Sequence, residues 1–400
     1  MKTILVVGAG LGQLPAIVVA KQMGLRVVVV DRSESAPGMV LADKAFRVDV
    51  ADLSGVLEVA RRENIDGILT LQSDLPVPTV GYVNDTLGLH GVSQETADVC
   101  SHKGRLRERL SKVHGAQPKF AVVTSLEEAS FHARRLGFPC VVKAPDSSGS
   151  RGVVKVDSDE MLSDAYREAM KFARDQSVLV EEYVEGLEFG AQTFSVDGKC
   201  VKVLLHNDTM SPPPYMIPTG HSLPFKYLTE AQRCKAVETI QKAVEAAGIG
   251  EGPANIDLIL DKKTNEAKII EIGARIGATC LPELVTIHTG IDWVKAAVQS
   301  ALGEVPDLKD TDSTPVAAMI IEAPEDGIFD GYSLECRPGE LGVLEYEVTC
   351  QPGQVVNRLR KGTDRIGKVI TVAETVDEAE VNADRFRKAV KLYITTNDRD

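Results

Sequence analysis

Short, solid apolar runs alternate with longer amphipathic stretches over the first hundred residues. Residues 3–7 (TILVV) and 27–30 (VVVV) are uninterrupted, and 68–71 (ILTL) nearly so. A glycine turn at 8–12 leads from the first run into a helical stretch at 14–23. Runs this short and uniform predict strands buried on both faces, and their alternation with helices predicts a parallel sheet. Residues 1–100 therefore read as a Rossmann-like domain, whose second strand ends at Asp31 and whose later strand closes on Asp74, Pro76 and Pro78.

The pattern changes at 101–119, a polar and basic stretch predicted as a helix leading out of this domain. Beyond it the chain mixes strands at 138–143, 178–183 and 189–196 with a Gly/Ser loop at 147–152 and a proline-rich stretch at 211–224. A helix at 230–247 and a hairpin over 254–272 follow; a charged segment at 303–313 then precedes a strand-rich region at 315–372 and a charged helix at 376–394. The expected division is 1–100, 101–310 with a lid at 120–185, and a small α+β domain at 311–400. The fold class is α/β, with an α+β centre.

Four hundred residues exceed one ordinary core, which agrees with several domains. With 44% hydrophobic and 26% charged residues the balance is that of a soluble enzyme. A net charge of −13 argues against nucleic acid as the main partner, because phosphate backbones need a basic face. Seven cysteines are dispersed without a CxxC pair, which suits reduced thiols in the cytoplasm. No apolar run reaches the roughly 18 residues of a membrane span. The first run passes straight into a glycine turn, as a buried strand does and a signal peptide does not.

Chemistry concentrates in the hairpin. If it is centred on Thr264, Asp257 lies opposite Glu271 on the same face, about 5 Å apart. Carboxylates that close repel unless a cation sits between them or one is protonated. Oxygen-only ligation with room for phosphate oxygens suits Mg²⁺. If the strand continues, Arg275 points to the same face. A metal pair beside a fixed cation suits phosphoryl transfer; a solvated hairpin face with an incidental salt bridge is the alternative. Lys143 ends an apolar strand just before SSGSRG, where small residues let backbone N–H groups fold over phosphates. No GxxxxGK[ST] loop is present. The segment VLVEEYVEGLEFG has carboxylates at 181, 182, 185 and 188, but a surface strand end reads the same way. The turn GAGLG lacks the final glycine of a dinucleotide fingerprint, so a plain strand-to-helix turn is expected over NAD binding. His206 and His221 flank the proline-rich stretch; His102, His114 and His132 sit in polar helical surroundings.

The order Lys103, Lys143 with SSGSRG, VLVEEYVEGLEFG and a hairpin ending IIEIGARIG resembles the ATP-grasp superfamily across essentially the whole chain. The N-terminal segment is also similar to purine-synthesis members, and the final strands to the biotin carboxylase branch. This resemblance implies that Lys103 and Lys143 contact ATP phosphates beneath the loop of Ser147, Ser148, Gly149, Ser150 and Gly152. It implies that Glu181 and the backbone of Glu182, Tyr183 and Val184 hold adenine, with Glu188 at the ribose. Asp257 and Glu271 would hold Mg²⁺ (or Mn²⁺), and Arg275 would steady an acyl phosphate. Many relatives carry Asn two residues after the metal-binding Glu, whereas here that position is Gly273. The variant EIGAR, with His206 and His221 around a proline-containing loop, looks like the L-amino acid ligases. The implied activity is an ADP-forming carboxylate–amine ligase acting on small molecules, with an amino acid among its substrates. A formate- or bicarbonate-using enzyme and a non-catalytic nucleotide-binding protein are the rivals. Related enzymes are often dimers, so a homodimer is among the expected assemblies.

Overall fold

The computed structural model describes residues 1–147, 151–212, 215 and 217–396. The apolar runs at the start form strands β1 (Thr3–Val7), β2 (Arg26–Asp31), β3 (Lys44–Arg47) and β4 (Gly67–Leu69), in the order β3-β2-β1-β4. β1 pairs in parallel with β2 and β4, as the sequence predicts. Helices α1 (Leu14–Gln22) and α2 (Leu53–Glu63) connect β1 to β2 and β3 to β4, and α3 (Val77–Leu87) follows β4. Leu5, Val7, Val28 and Val30 pack with Val56, Val59 and Ala60 of α2 and with Val80 and Val83 of α3. Full burial of each such aliphatic side chain contributes about 1.5–3 kcal/mol. The glycine turn closes on Asp31, whose carboxylate accepts the N–H of Ala9 and of Ser33, both at 2.8 Å. The acid that a dinucleotide site would reserve for a ribose is thus engaged by the protein's own backbone.

α4 (Gln94–Cys100) precedes the basic stretch, and within that stretch the expected helix is confined to α5 (Lys103–Leu110). His102 breaks them apart by capping α5, its ring accepting the Arg105 N–H at 3.2 Å. β5 (Phe120–Val123), β6 (Cys140–Lys143), β7 (Val153–Val156) and β8 (Val178–Glu182) then form an antiparallel sheet in the order β5-β8-β6-β7. Its core takes apolar residues from α6 (Leu126–Leu136) and α7 (Leu162–Met170).

After β9 (Gly186–Val196) the chain runs through β10 (Lys199–Met210), β11 (Pro218–Leu223) and α8 (Glu230–Ala247), the last with the bounds expected. A capping box between Thr229 and Gln232 starts α8. The expected hairpin follows as β12 (Gly252–Asp261) and β13 (Ala267–Gly273), with β12 also paired to β9. α9 (Leu281–Thr289) and α10 (Trp293–Ala301) complete this part of the chain. The only tryptophan, Trp293, is fully buried, its ring edge-on to Phe194 at 5.3 Å.

The chain divides into two compact units. The first comprises Met1–Leu204, Leu228–Ala278 and Asp292–Leu308. In the second, β11 pairs with β14 (Val316–Glu322), β14 with β18 (Arg365–Val372) and β18 with β16 (Val343–Val348). β15 (Gly327–Leu334) lies between β17 (Val355–Val356) and β19 (Val390–Thr395). The expected helix over 376–394 is shorter: α11 (Val376–Ala389) ends where β19 begins. Val390, Leu392 and Ile394 alternate with more exposed neighbours, a period of two that pairs with β15 and overrides the helical reading. Among the described residues, no helix is long and apolar enough to cross a membrane.

Candidate active site

The hairpin register brings Asp257 opposite Glu271, as the sequence predicts. Nearer the turn it differs by one residue: Leu260 pairs with Ala267 and Leu258 with Ile269. Continued without interruption, that register would set Ile270 opposite Asp257. A β-bulge absorbs Ile270 and restores the carboxylate pair. Bulges of this kind re-aim side chains beside active sites. The carbonyl of Ile270 accepts a hydrogen bond from Arg107 Nη2 at 2.9 Å. Lys103, at the start of α5, reaches Glu271 Oε1 at 3.0 Å and the Ser147 carbonyl at 2.6 Å. An ammonium thus occupies the immediate surroundings of the pair. Two oxygen donors on facing strands fit a hard divalent cation such as Mg²⁺.

Lys143 and Glu181 lie together inside the first unit. Lys143 Nζ meets one Glu181 oxygen at 2.6 Å and Arg107 Nε meets the other at 2.5 Å. All three side chains are at most 5% exposed. Burial pushes the Glu181 carboxyl up, but the charges of Arg107 and Lys143 overcome it and bring it down to about 2. Burial also lowers Lys143, to about 8, against the opposing pull of Glu181. Two cations share one carboxylate, and because arginine does not deprotonate, the excess positive charge bears on the lysine. Arg107 was not singled out from sequence. A basic residue in a basic helix resembles its solvated neighbours, and only the packing of α5 reveals it.

Glu182 Oε1 accepts the N–H of Lys119 at 3.0 Å. Tyr183 is partly exposed with Lys155 Nζ 4.8 Å from its ring centre, and Val184 is nearly buried. Glu188 lies opposite Ile259 on β9. Of the Gly/Ser loop, Ser148, Gly149 and Ser150 lie outside the described residues. Gly152, at φ +69°, closes the loop by accepting the Ala144 N–H at 3.0 Å. A β-carbon there would meet Phe172 at 2.9 Å, which glycine avoids.

Arg275 does not continue the strand. β13 stops at Gly273, and a tight turn from Arg275 N–H to the Gly273 carbonyl, 2.8 Å, redirects the side chain. Its Nη2 meets Asp74 Oδ1 at 2.8 Å. Burial raises Asp74, yet the arginine's charge and hydrogen bond hold it below its ordinary value. Asp74 marks the strand end in the sequence, and its partnership with Arg275 emerges only in three dimensions. A β-carbon on Gly273 would stand 3.0 Å from Asp74 Oδ1 and 3.2 Å from Arg275 Cζ. The missing side chain leaves room for this ion pair.

The second unit holds a separate cluster. His206 and His221 each place Nδ1 2.7 Å from Asp208 Oδ1, with ring centres 5.0 Å apart. A carboxylate only accepts, so both Nδ1 atoms carry a proton, and in neutral His206 the Nε2 atom is an acceptor. Burial keeps His206 neutral by lowering its pKa, against the pull of Asp208. His206 Nε2 is buried without a hydrogen-bond partner among the described residues. Sequence singled out both histidines but not the aspartate that joins them. Among the described residues the seven cysteines are free thiols.

Residues 105–309 match the family described as the carbamoyl-phosphate synthase L chain ATP-binding domain. Residues 319–395 match L-amino acid ligase C-terminal domain 2, and residues 4–77 a PylC-like N-terminal domain. A formate-dependent phosphoribosylglycinamide formyltransferase of Saccharolobus solfataricus is 26% identical, over 98% of this chain and 97% of its own. Among solved structures, a phosphoribosylglycinamide synthetase from Anaerococcus prevotii is 27% identical with a TM-score of 0.84, covering 98% of this chain and 100% of that one. An L-amino acid ligase from Bacillus licheniformis shares the fold at 22% identity and a TM-score of 0.83, covering 99% of each chain. The chain belongs to the carbamoyl-phosphate synthase L chain ATP-binding-domain family and is an ATP-grasp ligase.

Proposed function

We propose that this enzyme joins a carboxylate to an amine through an acyl phosphate, releasing ADP and phosphate. The observation that carries the reading is the bulge-corrected pairing of Asp257 with Glu271, with Lys103 on Glu271. Asp257 and Glu271 would hold Mg²⁺, which when bound neutralises charge on the phosphate oxygens. Lys103 and Lys143 would add positive charge at the phosphates, beneath the 147–152 loop. The segment 181–184 would hold adenine and Glu188 the ribose. With Glu181 committed to Arg107 and Lys143, adenine would rest chiefly on the backbone of this segment.

In the first step a substrate carboxylate oxygen bonds to the γ-phosphorus and the bond to ADP breaks. In the second, the amine adds to the acyl carbon, loses a proton and expels phosphate. Arg275 would face the oxyanion of that tetrahedral intermediate. His206, through its acceptor Nε2, and His221 would hold a polar substrate group. The L-amino acid ligase match at 319–395 supports an amino acid substrate. The relative and the neighbour named for phosphoribosylglycinamide chemistry support a second reading, with formate as the carboxylate. Divisions near residues 100 and 310, a cytoplasmic location and a homodimer belong to the same proposal.

ADP release decides between the readings. The first expects release that requires an amino acid pair with ATP and Mg²⁺. The second expects it with formate and a phosphoribosylglycinamide. Formation of AMP and pyrophosphate would reject both.

A further inference from the structure

The Asp257 carboxylate ends a line of amides. Gly277 N–H donates to Gln192 Oε1 at 2.9 Å, Gln192 Nε2 to Asn255 Oδ1 at 2.6 Å, and Asn255 Nδ2 to Asp257 Oδ1 at 3.0 Å. A backbone N–H only donates and a carboxylate only accepts, so every bond runs the same way and each amide has a single orientation. The strand register makes the line possible. Gln192 on β9 lies directly opposite Asn255 on β12 and is wholly buried. Asn255 lies opposite Gly273 on its other side. Having no side chain, Gly273 offers nothing that could draw the Asn255 amide away. Gly277 belongs to the same loop as Arg275, so one line ties that loop to the carboxylate through β9 and β12.

We propose that Gln192 and Asn255 are positioning residues of the metal-binding pair, fixing the rotation of the Asp257 carboxylate and locking it to the Arg275 loop. The proposal rests on the reading that Asp257 and Glu271 hold the divalent ion. Partners behind a metal ligand typically change metal affinity by about 10–100-fold when removed. They act through the ligand, and that separates positioning from a direct role.

The test uses Mn²⁺ as a paramagnetic stand-in, titrated into the full-length protein with saturating ADP and followed by electron paramagnetic resonance. Asn255→Ala should weaken Mn²⁺ binding about tenfold and leave metal-free ADP affinity unchanged. Asn255→Leu keeps much of the shape without adding charge and cannot donate to Asp257, so it should weaken Mn²⁺ to a similar extent. Gln192→Met should act in the same direction. In an Asp257→Asn background, Asn255→Ala should change Mn²⁺ affinity less than about twofold, because the residue it positions has already been altered. Wild-type Mn²⁺ affinity in both Asn255 variants would overturn the proposal, as would an undiminished effect in the Asp257→Asn background. Unchanged Mn²⁺ affinity in Asp257→Asn alone would instead overturn the metal assignment beneath it. Trp293 emission during unfolding checks that each variant remains folded.

Discussion

Arg107 is wholly buried and joins two parts of the site: Nε neutralises Glu181, and Nη2 holds the carbonyl of the bulged Ile270. Arg107→Met keeps much of the side-chain volume and removes both contacts. Removing one partner from a buried ion pair costs about 3–5 kcal/mol. An uncapped buried carbonyl adds about 1–3 kcal/mol. Lys143 still faces Glu181 at 2.6 Å and compensates part of the charge, so the expected loss is near the lower end. About 3 kcal/mol corresponds to a shift of roughly a hundredfold or more in the folded-to-unfolded ratio. Trp293 gives a direct readout, because it is the sole tryptophan and is buried in the same unit. The assay is urea unfolding followed by its emission. The triple variant Arg107→Met, Glu181→Met, Lys143→Met replaces the cluster with apolar groups and should recover most of the loss. A loss below about 1 kcal/mol for Arg107→Met, or a triple variant less stable than the single one, would refute the reasoning.

Glu271→Gln should abolish ADP release while leaving the Trp293 unfolding midpoint near that of the parent, since it changes one charge and no apolar packing. Near-normal turnover at limiting Mg²⁺ would contradict its role. Lys143 titrates near 8 in the folded protein against an ordinary 10.5, so the unfolded chain binds the proton more tightly between those values. Stability should therefore rise as pH goes from about 8 to 10.5. Unfolding midpoints measured across that window should show the rise in the parent and lose it in Lys143→Met. Gly273→Asn would press a side chain against Asp74 and Arg275, which stand 3.0 and 3.2 Å from the first added carbon. Turnover should fall roughly 10–100-fold, because small displacements of positioned groups are that costly; unchanged kcat would show that the ion pair yields freely.

The parallel sheet and the hairpin were legible because their signals are local: solid apolar runs and two β-rich runs around a polar turn. The pairing of Asp257 with Glu271 was legible for the same reason, although the bulge that produces it was not. A bulge depends on what braces it, here Arg107 from a helix more than a hundred and fifty residues away in sequence. Gln192, Asn255 and Asp208 escaped notice, and Asp74 was read only as a strand end, because each acts through a partner from another strand or loop. No periodicity marks an amide whose importance lies in its neighbour. The helix expected over 376–394 failed at 390 because charged residues on an exposed strand face look helical until the period-two apolar face is matched to β15.

The extra residue at 270 separates the phase of the hairpin's tip from the phase of the end that carries Asp257 and Glu271. Turn residues 262–266 can therefore change in length or type, provided the pairing of Leu258 with Ile269 survives, without rotating either acid. Excising Ile270 would leave Glu271 opposite Asp257 in an unbroken ladder, but would remove the carbonyl that Arg107 holds. Loop remodelling is consequently a safe route for engineering this hairpin, whereas a change at Ile270 acts on the brace from Arg107.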